Sequence, residues 1–369
     1  VQKKAADKDA CPTYAKMTFM QKAIAITPGI GGSARLVEIP DAPAPGPGEV
    51  RVRVLDIGID GTDMELYAGH FGAAPPGSDF LVIGHECLGI VEQTGAGTSL
   101  QQGDYVAAMV RRPDECPSCR AGSSDLCTTM QYTERGITAA HGFLTSHYTD
   151  HEEFVVRIPP ELRDIGVMLE PWSVAAKAQR HAWEIQRRLL WNPQRALVMG
   201  AGSLGLLAAF LLRLRGLEVS VFSREPADSL RAKLLERAGA RYLTELSGND
   251  DYDFVFEATG APQLVMAGLE RLRASGVMVI LGVGHNREPM PVPLGAMSTR
   301  IMANNQVLFG SVNSNRLDFQ QSVTDLAEME RRWPGLIGAM FTRREPFAQF
   351  AEALRRGDDD IKVLIEVAA

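Results

Sequence analysis

From residue 22 to about 110, apolar and polar residues alternate in short runs punctuated by proline and glycine, with Val50-Arg51-Val52-Arg53-Val54-Leu55 the clearest. A period of two sends successive side chains to opposite faces of a strand, so this part is predicted to be mostly β. The runs at 89–91 and 105–110 read the same way, and Gly95-Ala96-Gly97 with Gly103 marks the turn between them. From about Pro171 the period lengthens. Helices are predicted over 173–185, 203–215, 230–238 and 263–272, and strands over 196–199, 218–222, 254–256 and 277–281. Strands alternating with helices argue for an α/β fold with a doubly wound parallel sheet. The remainder is mixed, with helices over 319–329 and 347–355 and a last strand over 362–367, and no repeat is found.

At 369 residues, 45% of them hydrophobic, the chain is long enough for two cores, which excludes disorder and a disulfide-stapled miniprotein. Its net charge of −7 without a basic run repels nucleic acid and anionic lipid, leaving a small molecule as the expected partner. The most apolar stretch, 204–212, falls well short of the roughly 20 residues of a membrane span and ends at Arg213, so no transmembrane helix is expected. Residues 1–19 have no apolar core or cleavage site and read as a disordered extension or a start-site artefact, not a signal peptide. Of five cysteines, Cys116, Cys119 and Cys127 crowd into one loop while Cys11 and Cys87 stand alone. Such clustering points to metal binding in a reducing compartment, the cytoplasm, rather than to disulfides.

The strand at 196–199 runs into Gly200-Ala201-Gly202-Ser203-Leu204-Gly205 and then an apolar helix, the context in which G-x-G-x-x-G signifies dinucleotide binding. Gly200 permits the turn, Gly202 clears space for the pyrophosphate, and Gly205 lets helix and strand approach, while the N-terminus at Ser203 and Leu204 faces the phosphates. At the tip of the next strand, Ser223 and Arg224 would bond a 2′-phosphate, favouring NADP; NAD is the alternative if Glu225 reaches the ribose.

Cys116, Cys119 and Cys127 have the spacing of a structural zinc loop but are one ligand short, and Asp114 or Glu115 stands ready to complete it. A second set, Asp60, His85 and Glu170, offers two carboxylates and an imidazole, suited to zinc with one position left open for catalysis. Singly, each has a plainer role: turn residue, core imidazole, helix-start carboxylate.

In this order, Gly-Ile-Asp60-Gly-Thr-Asp, Gly-His85-Glu86, the cysteine loop, Leu-Glu170-Pro and the glycine motif resemble the zinc-containing medium-chain dehydrogenase/reductase superfamily, from about Met20 to the C-terminus. Arg111-Arg112-Pro113, Thr133-Glu134-Arg135-Gly136-Ile137, Gly142-Phe143, the run from Glu170 through Lys177, and Gly310-Ser311-Val312-Asn313 are most similar to its glucose (aldose) 1-dehydrogenase branch. The resemblance implies a Rossmann doubly wound domain at 175–309 inserted into a GroES-like, mostly β catalytic domain at 20–174 and 310–369. It implies Asp60 as first catalytic zinc ligand, His85 as second, and Glu170 or Glu86 completing the set, the latter directly or through water. It also implies Thr62 in a proton relay, and Glu134 with Asn313 on the sugar hydroxyls. Two features depart from the branch. Pro113 or Asp114 occupies the place of a first structural cysteine, and Val110 and Val174 replace polar sugar ligands.

The function expected is zinc-dependent oxidation of the C1 hydroxyl of an aldose such as glucose to its lactone, with hydride passing to NADP. A polyol or secondary-alcohol dehydrogenase of the same superfamily is the alternative, followed by a metal-free NADPH-binding protein without catalysis. The resemblance further implies a homo-oligomer, dimer or tetramer, assembled through the edge strand near 277–283 and the stretch after it.

Overall fold

The computed structural model describes residues 19–247, 251–284 and 289–368, so the expected extension lies, apart from Phe19, outside the described residues. The alternating run around Val52 is the strand Glu49–Ile59, in which Val50, Val52 and Val54 are fully buried and Arg51 and Arg53 between them are not. This strand lies within a seven-stranded sheet. On one side follow Glu86–Thr94, Tyr105–Ala108 and Val155–Ile158; on the other come Lys362–Glu366 and Phe341–Pro346 from the far end of the chain, and His147–His151 pairs with its first half. Residues more than three hundred positions apart, such as Ile59 and Val363, therefore pair in one sheet, which brings Lys362 to the neighbourhood of Asp60 and Glu86.

The second half forms a six-stranded sheet, parallel throughout, in the order Arg241–Leu243, Glu218–Phe222, Arg195–Met199, Tyr252–Glu257, Leu272–Ile280, Val307–Gly310. The chain first steps outward from Arg195–Met199 and then returns to its other side at Tyr252–Glu257. That reversal opens a crevice at the carboxyl ends of the two strands, where α/β folds bind their ligands. The helix Ser203–Leu214 starts there, and its apolar residues from Leu206 to Leu212 are at most 1% exposed, which explains a sequence apolar on every side.

Three expectations about elements are corrected. The strand expected near 277–283 to form an edge is Leu272–Ile280, an interior strand flanked on both sides; Val307–Gly310 takes the edge because it adds one more parallel crossover. The helix expected over 347–355 is a 3₁₀ turn, Phe347–Gln349, followed by the short helix Phe350–Ala353. Of the short helix only Ala353 is buried, so little packing supports a longer one. Conversely, the helix expected over 319–329 runs from Arg316 to Arg332, because Asn315 and Asp318 form a reciprocal cap at its start. Its Phe319, Leu326 and Met329 join the same buried cluster as Trp172 of the helix Leu169–Gln186 and Phe210. Among the described residues no helix is long and apolar enough to cross a membrane.

Candidate active site

Asp60 ends the strand Glu49–Ile59 and caps the helix Gly61–Ala68. Its Oδ1 accepts the backbone N–H groups of Thr62 and Asp63 at 2.7 and 3.1 Å, and the Asp63 carboxylate accepts the Asp60 N–H at 3.2 Å. This reciprocal cap fixes the Asp60 side chain, 28% exposed, at the rim of the seven-stranded sheet. Oδ2 accepts the Thr62 hydroxyl at 3.3 Å. His85 arrives from the next loop, turned by Gly84 at φ +86°. Its Nε2 stands 3.6 Å from Asp60 Oδ1, and its Nδ1 faces the fully buried Asp63 at 3.5 Å.

Glu86 opens the strand Glu86–Thr94, where Lys362 Nζ donates to its two oxygens at 2.7 and 2.5 Å, both side chains being at most 1% exposed. Opposite it is Gly58, where a Cβ would lie 1.9 Å from Glu86 Oε2. Glu170, 6% exposed, lies in the first turn of the helix Leu169–Gln186. Pro171 is tolerated beside it because a first-turn N–H has no helical partner to lose.

The charges are crowded. Burial works to raise the Asp60 carboxyl, but the charge and hydrogen bonding of His85 outweigh it and hold the group well below the usual carboxylate range. Burial likewise would lower the His85 imidazole, yet Asp63 and Asp60 hold it well above its ordinary value. Glu86 is raised by burial against the pull of Lys362. Glu170 is pushed up to about 8, first by burial and then by the charges of Glu86 and Asp60, with His85 opposing. One ligand atom from each of Asp60, His85 and Glu86 falls within 4.8 Å of the others; Glu170, expected as a ligand, is not in that group, although its carboxyl feels the charges of all three. Carboxylate oxygens from Asp60 and Glu86 with an imidazole nitrogen from His85 are a donor set that a zinc ion would complete. The orphaned Nδ1 of His85 and Oδ1 of Asp63 are buried against each other, the arrangement that orients an imidazole whose other nitrogen faces a metal.

Cys116, Cys119, Cys127 and Asp114 form a second cluster whose ligand atoms also lie within 4.8 Å of one another. Cys116 caps the short helix Pro117–Arg120, and backbone N–H groups of Cys119 and Thr128 push its thiol down to about 7. Asp114 Oδ2 is 3.1 Å from Cys127 Sγ. Glu115, the other carboxylate considered, points outward to Arg120 with 91% of its side chain exposed.

Glu134 and Asn313 meet directly. Asn313 Nδ2 donates to Glu134 Oε1 at 2.8 Å, and Asn313 sits at φ +60°, a left-handed conformation that asparagine tolerates. A buried chain of polar groups leads from here to Glu170: Ser314 and Ser173 share a hydrogen bond of 2.6 Å, and Ser173 donates to the Glu170 carbonyl at 2.6 Å.

In the parallel sheet, Gly200 turns at φ +106°. A Cβ on Gly205 would lie 2.0 Å from the Gly200 carbonyl oxygen, whereas a Cβ on Gly202 would meet nothing within 4 Å. Close packing at one glycine and open space at the other leave room for a pyrophosphate, and among the described residues the buried Ser203 Oγ at the helix start has no partner. Leu204 follows, packed against the core. Ser223 departs from expectation: its hydroxyl is already donated to Glu225, whose carboxyl, although burial works to raise it, is held low mainly by that bond. Arg224 is exposed at the strand tip.

Residues 163–367 match the family described as "Glucose dehydrogenase C-terminus", and residues 46–160 match the "Alcohol dehydrogenase GroES-like domain". The glucose 1-dehydrogenase of Methanocella arvoryzae is 41% identical over 94% of this chain and 100% of that protein. The chain belongs to the glucose dehydrogenase family. The glucose 1-dehydrogenase of Thermoproteus tenax is 38% identical over 94% of the chain and 99% of its own length. Among solved structures, Haloferax mediterranei glucose dehydrogenase in complex with NADP, Zn and gluconolactone superposes with a TM-score of 0.86 at 32% identity, covering 94% of this chain and 99% of that one.

Within this glucose dehydrogenase family member, sequence reasoning gave no role to Asp63 or Lys362. Asp63 had a readable signal, an acid three residues after Asp60 at a helix start. Lys362 had none, since its link to Glu86 spans 276 positions.

Proposed function

We propose that this chain is a zinc-dependent, NADP-linked glucose 1-dehydrogenase that oxidises the sugar at C1 to its lactone. The observation that carries the reading is the convergence of Asp60, His85 and Glu86, with Glu170 beside them, in a chain that belongs to this family. Residues 20–174 and 310–369 would supply the catalytic lobe and 175–309 the cofactor lobe, the helix Leu169–Gln186 crossing between them.

Zinc held by Asp60, His85 and Glu170 or Glu86 would act as a Lewis acid on the C1 hydroxyl. Lactone formation removes a hydride from C1 and a proton from its hydroxyl oxygen; the hydride reduces nicotinamide C4, giving NADPH, and the proton leaves to water. Thr62 would pass that proton on, a role supported by the bond its hydroxyl donates to Asp60 Oδ2. Glu134 and Asn313 would hold ring hydroxyls, and the mutual bond between them means that neither is free to swing away. The Gly202 cradle and the unpartnered Ser203 hydroxyl would take the pyrophosphate. A 2′-phosphate would find Arg224, while Glu225, with Ser223 committed to it, is set to accept ribose hydroxyls, so NAD is expected to serve as the weaker alternative.

The edge strand Val307–Gly310, with Leu308 36% exposed and Met302 on the nearby helix 71% exposed, is where we expect copies of the chain to associate as a homo-oligomer. Cys87, Cys116, Cys119 and Cys127 are free thiols, which supports a cytoplasmic protein. Initial rates with glucose, galactose, xylose and sorbitol, each with NADP and with NAD, test the reading. Aldoses should turn over with NADP favoured; turnover of sorbitol alone would replace glucose oxidation with polyol oxidation, the reading that Val110 and Val174 would then explain.

A further inference from the structure

We propose that Arg111 is a positioning residue that dictates which oxygen of Glu134 meets the sugar; the inference rests on the sugar-binding role proposed for Glu134. Arginine usually engages a carboxylate through two parallel bonds, one to each oxygen. Here both donors converge on a single atom: Arg111 Nε and Nη2 donate to Glu134 Oε1 at 3.0 and 2.9 Å, and Asn313 Nδ2 adds a third bond at 2.8 Å. Among the described residues Oε2 accepts none. A carboxylate has about four acceptor directions, so loading one oxygen threefold leaves the acceptor capacity of the other open to a ligand.

The guanidinium is itself immobilised. Nη1 donates to the carbonyls of Ser124 and Asp125, each at 3.3 Å, and the ring of Tyr132 lies under its plane, 3.7 Å from centroid to guanidinium carbon. Arg111 is 3% exposed, and Tyr132 packs against Cys116, Cys119 and Cys127. The cysteine lobe thus has a route to the sugar site. Its 3₁₀ turn, Ser124–Leu126, supplies the two carbonyls that aim Arg111, and Arg111 aims Glu134. A companion pair repeats the scheme beside it: Lys177 pairs with Asp125 at 3.2 Å, and Asn315 Nδ2 donates to Asp125 Oδ1 at 3.1 Å. One cation and one asparagine therefore hold each buried carboxylate, and both asparagines come from the segment that leaves the edge strand.

Lysine preserves the charge of Arg111 but not its planar fork. In Arg111→Lys, KM for glucose should rise about tenfold or more, the scale of a lost charged hydrogen bond, with kcat within about threefold and KM for NADP unchanged. Glu134→Gln should raise the glucose KM by itself, and adding Arg111→Lys to it should raise KM no further, since Arg111 acts only through that carboxylate. If Arg111→Lys does not fold, Glu134→Gln with Arg111→Gln, which keeps the buried charge balanced, is compared with Glu134→Gln alone, and the two should agree within about twofold. A normal glucose KM in Arg111→Lys, a proportional loss of kcat, or additive effects in the double variant would overturn the inference while leaving the role of Glu134 standing. A normal glucose KM in Glu134→Gln would remove the reading beneath it.

Discussion

Asp63 supports His85 from behind. A carboxylate facing the Nδ1 side fixes the tautomer and raises the basicity of the ring, so that Nε2 is presented towards Asp60. Asp63→Asn keeps the size and the helix cap but removes the charge. Zinc affinity and turnover should both fall about 10- to 100-fold, measured by competition with a chelator and by NADP reduction, with glucose KM little changed. Glu170 makes a prediction about pH. In the metal-free protein its carboxyl titrates at about 8 because it is buried, whereas in the unfolded chain it ionises near the ordinary 4.5. The group has been raised, so the unfolded state releases its proton first. Stability linked to Glu170 is intact below pH 4.5 and is lost as pH rises from there towards 8. The Tm of the chelated protein should therefore fall between pH 5.5 and about 8 more steeply than that of Glu170→Gln; equal slopes would separate Glu170 from the effect.

Single elements hold these residues in place, and it is at this level that the sequence was most informative. The strand–glycine–helix unit from Arg195 to Leu214 was legible because its three glycines, its strand and its apolar helix are consecutive. Residue type and likeness to a family also offered Asp60, His85 and Glu170 as candidate ligands; the structure gathers Asp60 and His85 with Glu86. The rest depended on pairings across the chain. Nothing near Gly58 announces that its missing Cβ makes room for Glu86, because that contact exists only once the two strands are in register. Equally, Ser223 looked available to a phosphate because its bond to Glu225 is a matter of side-chain geometry, not of residue type. The edge strand was misplaced by one for a related reason, since periodicity reveals strands but not their order across a sheet. The cysteine lobe offers a test at this scale. Asp114 accepts the Cys116 N–H at 2.8 Å, joins three thiols and is bonded by Thr129. We propose that this lobe holds a second zinc: Asp114→Ala should then lower that equivalent and the Tm together, while the first equivalent and kcat persist, and retention of both equivalents would show that three thiols suffice.

The whole molecule brings two sheets together through the helix Leu169–Gln186, which begins with Glu170 beside the catalytic cluster and continues along the core of the parallel sheet. The chain thereby links the Asp60–His85–Glu86 cluster, Glu134 and the glycine turn at Gly200–Gly205, each drawn from separate parts of its length. Glucose-dependent NADP reduction, followed on one preparation as zinc is stripped by chelation and then returned, tests that union most directly. Activity should vanish with the metal and recover in proportion to zinc rebound in wild type, but not in Asp60→Ala, which should still bind NADP. Undiminished reduction in fully stripped protein, or full recovery in Asp60→Ala, would contradict the account.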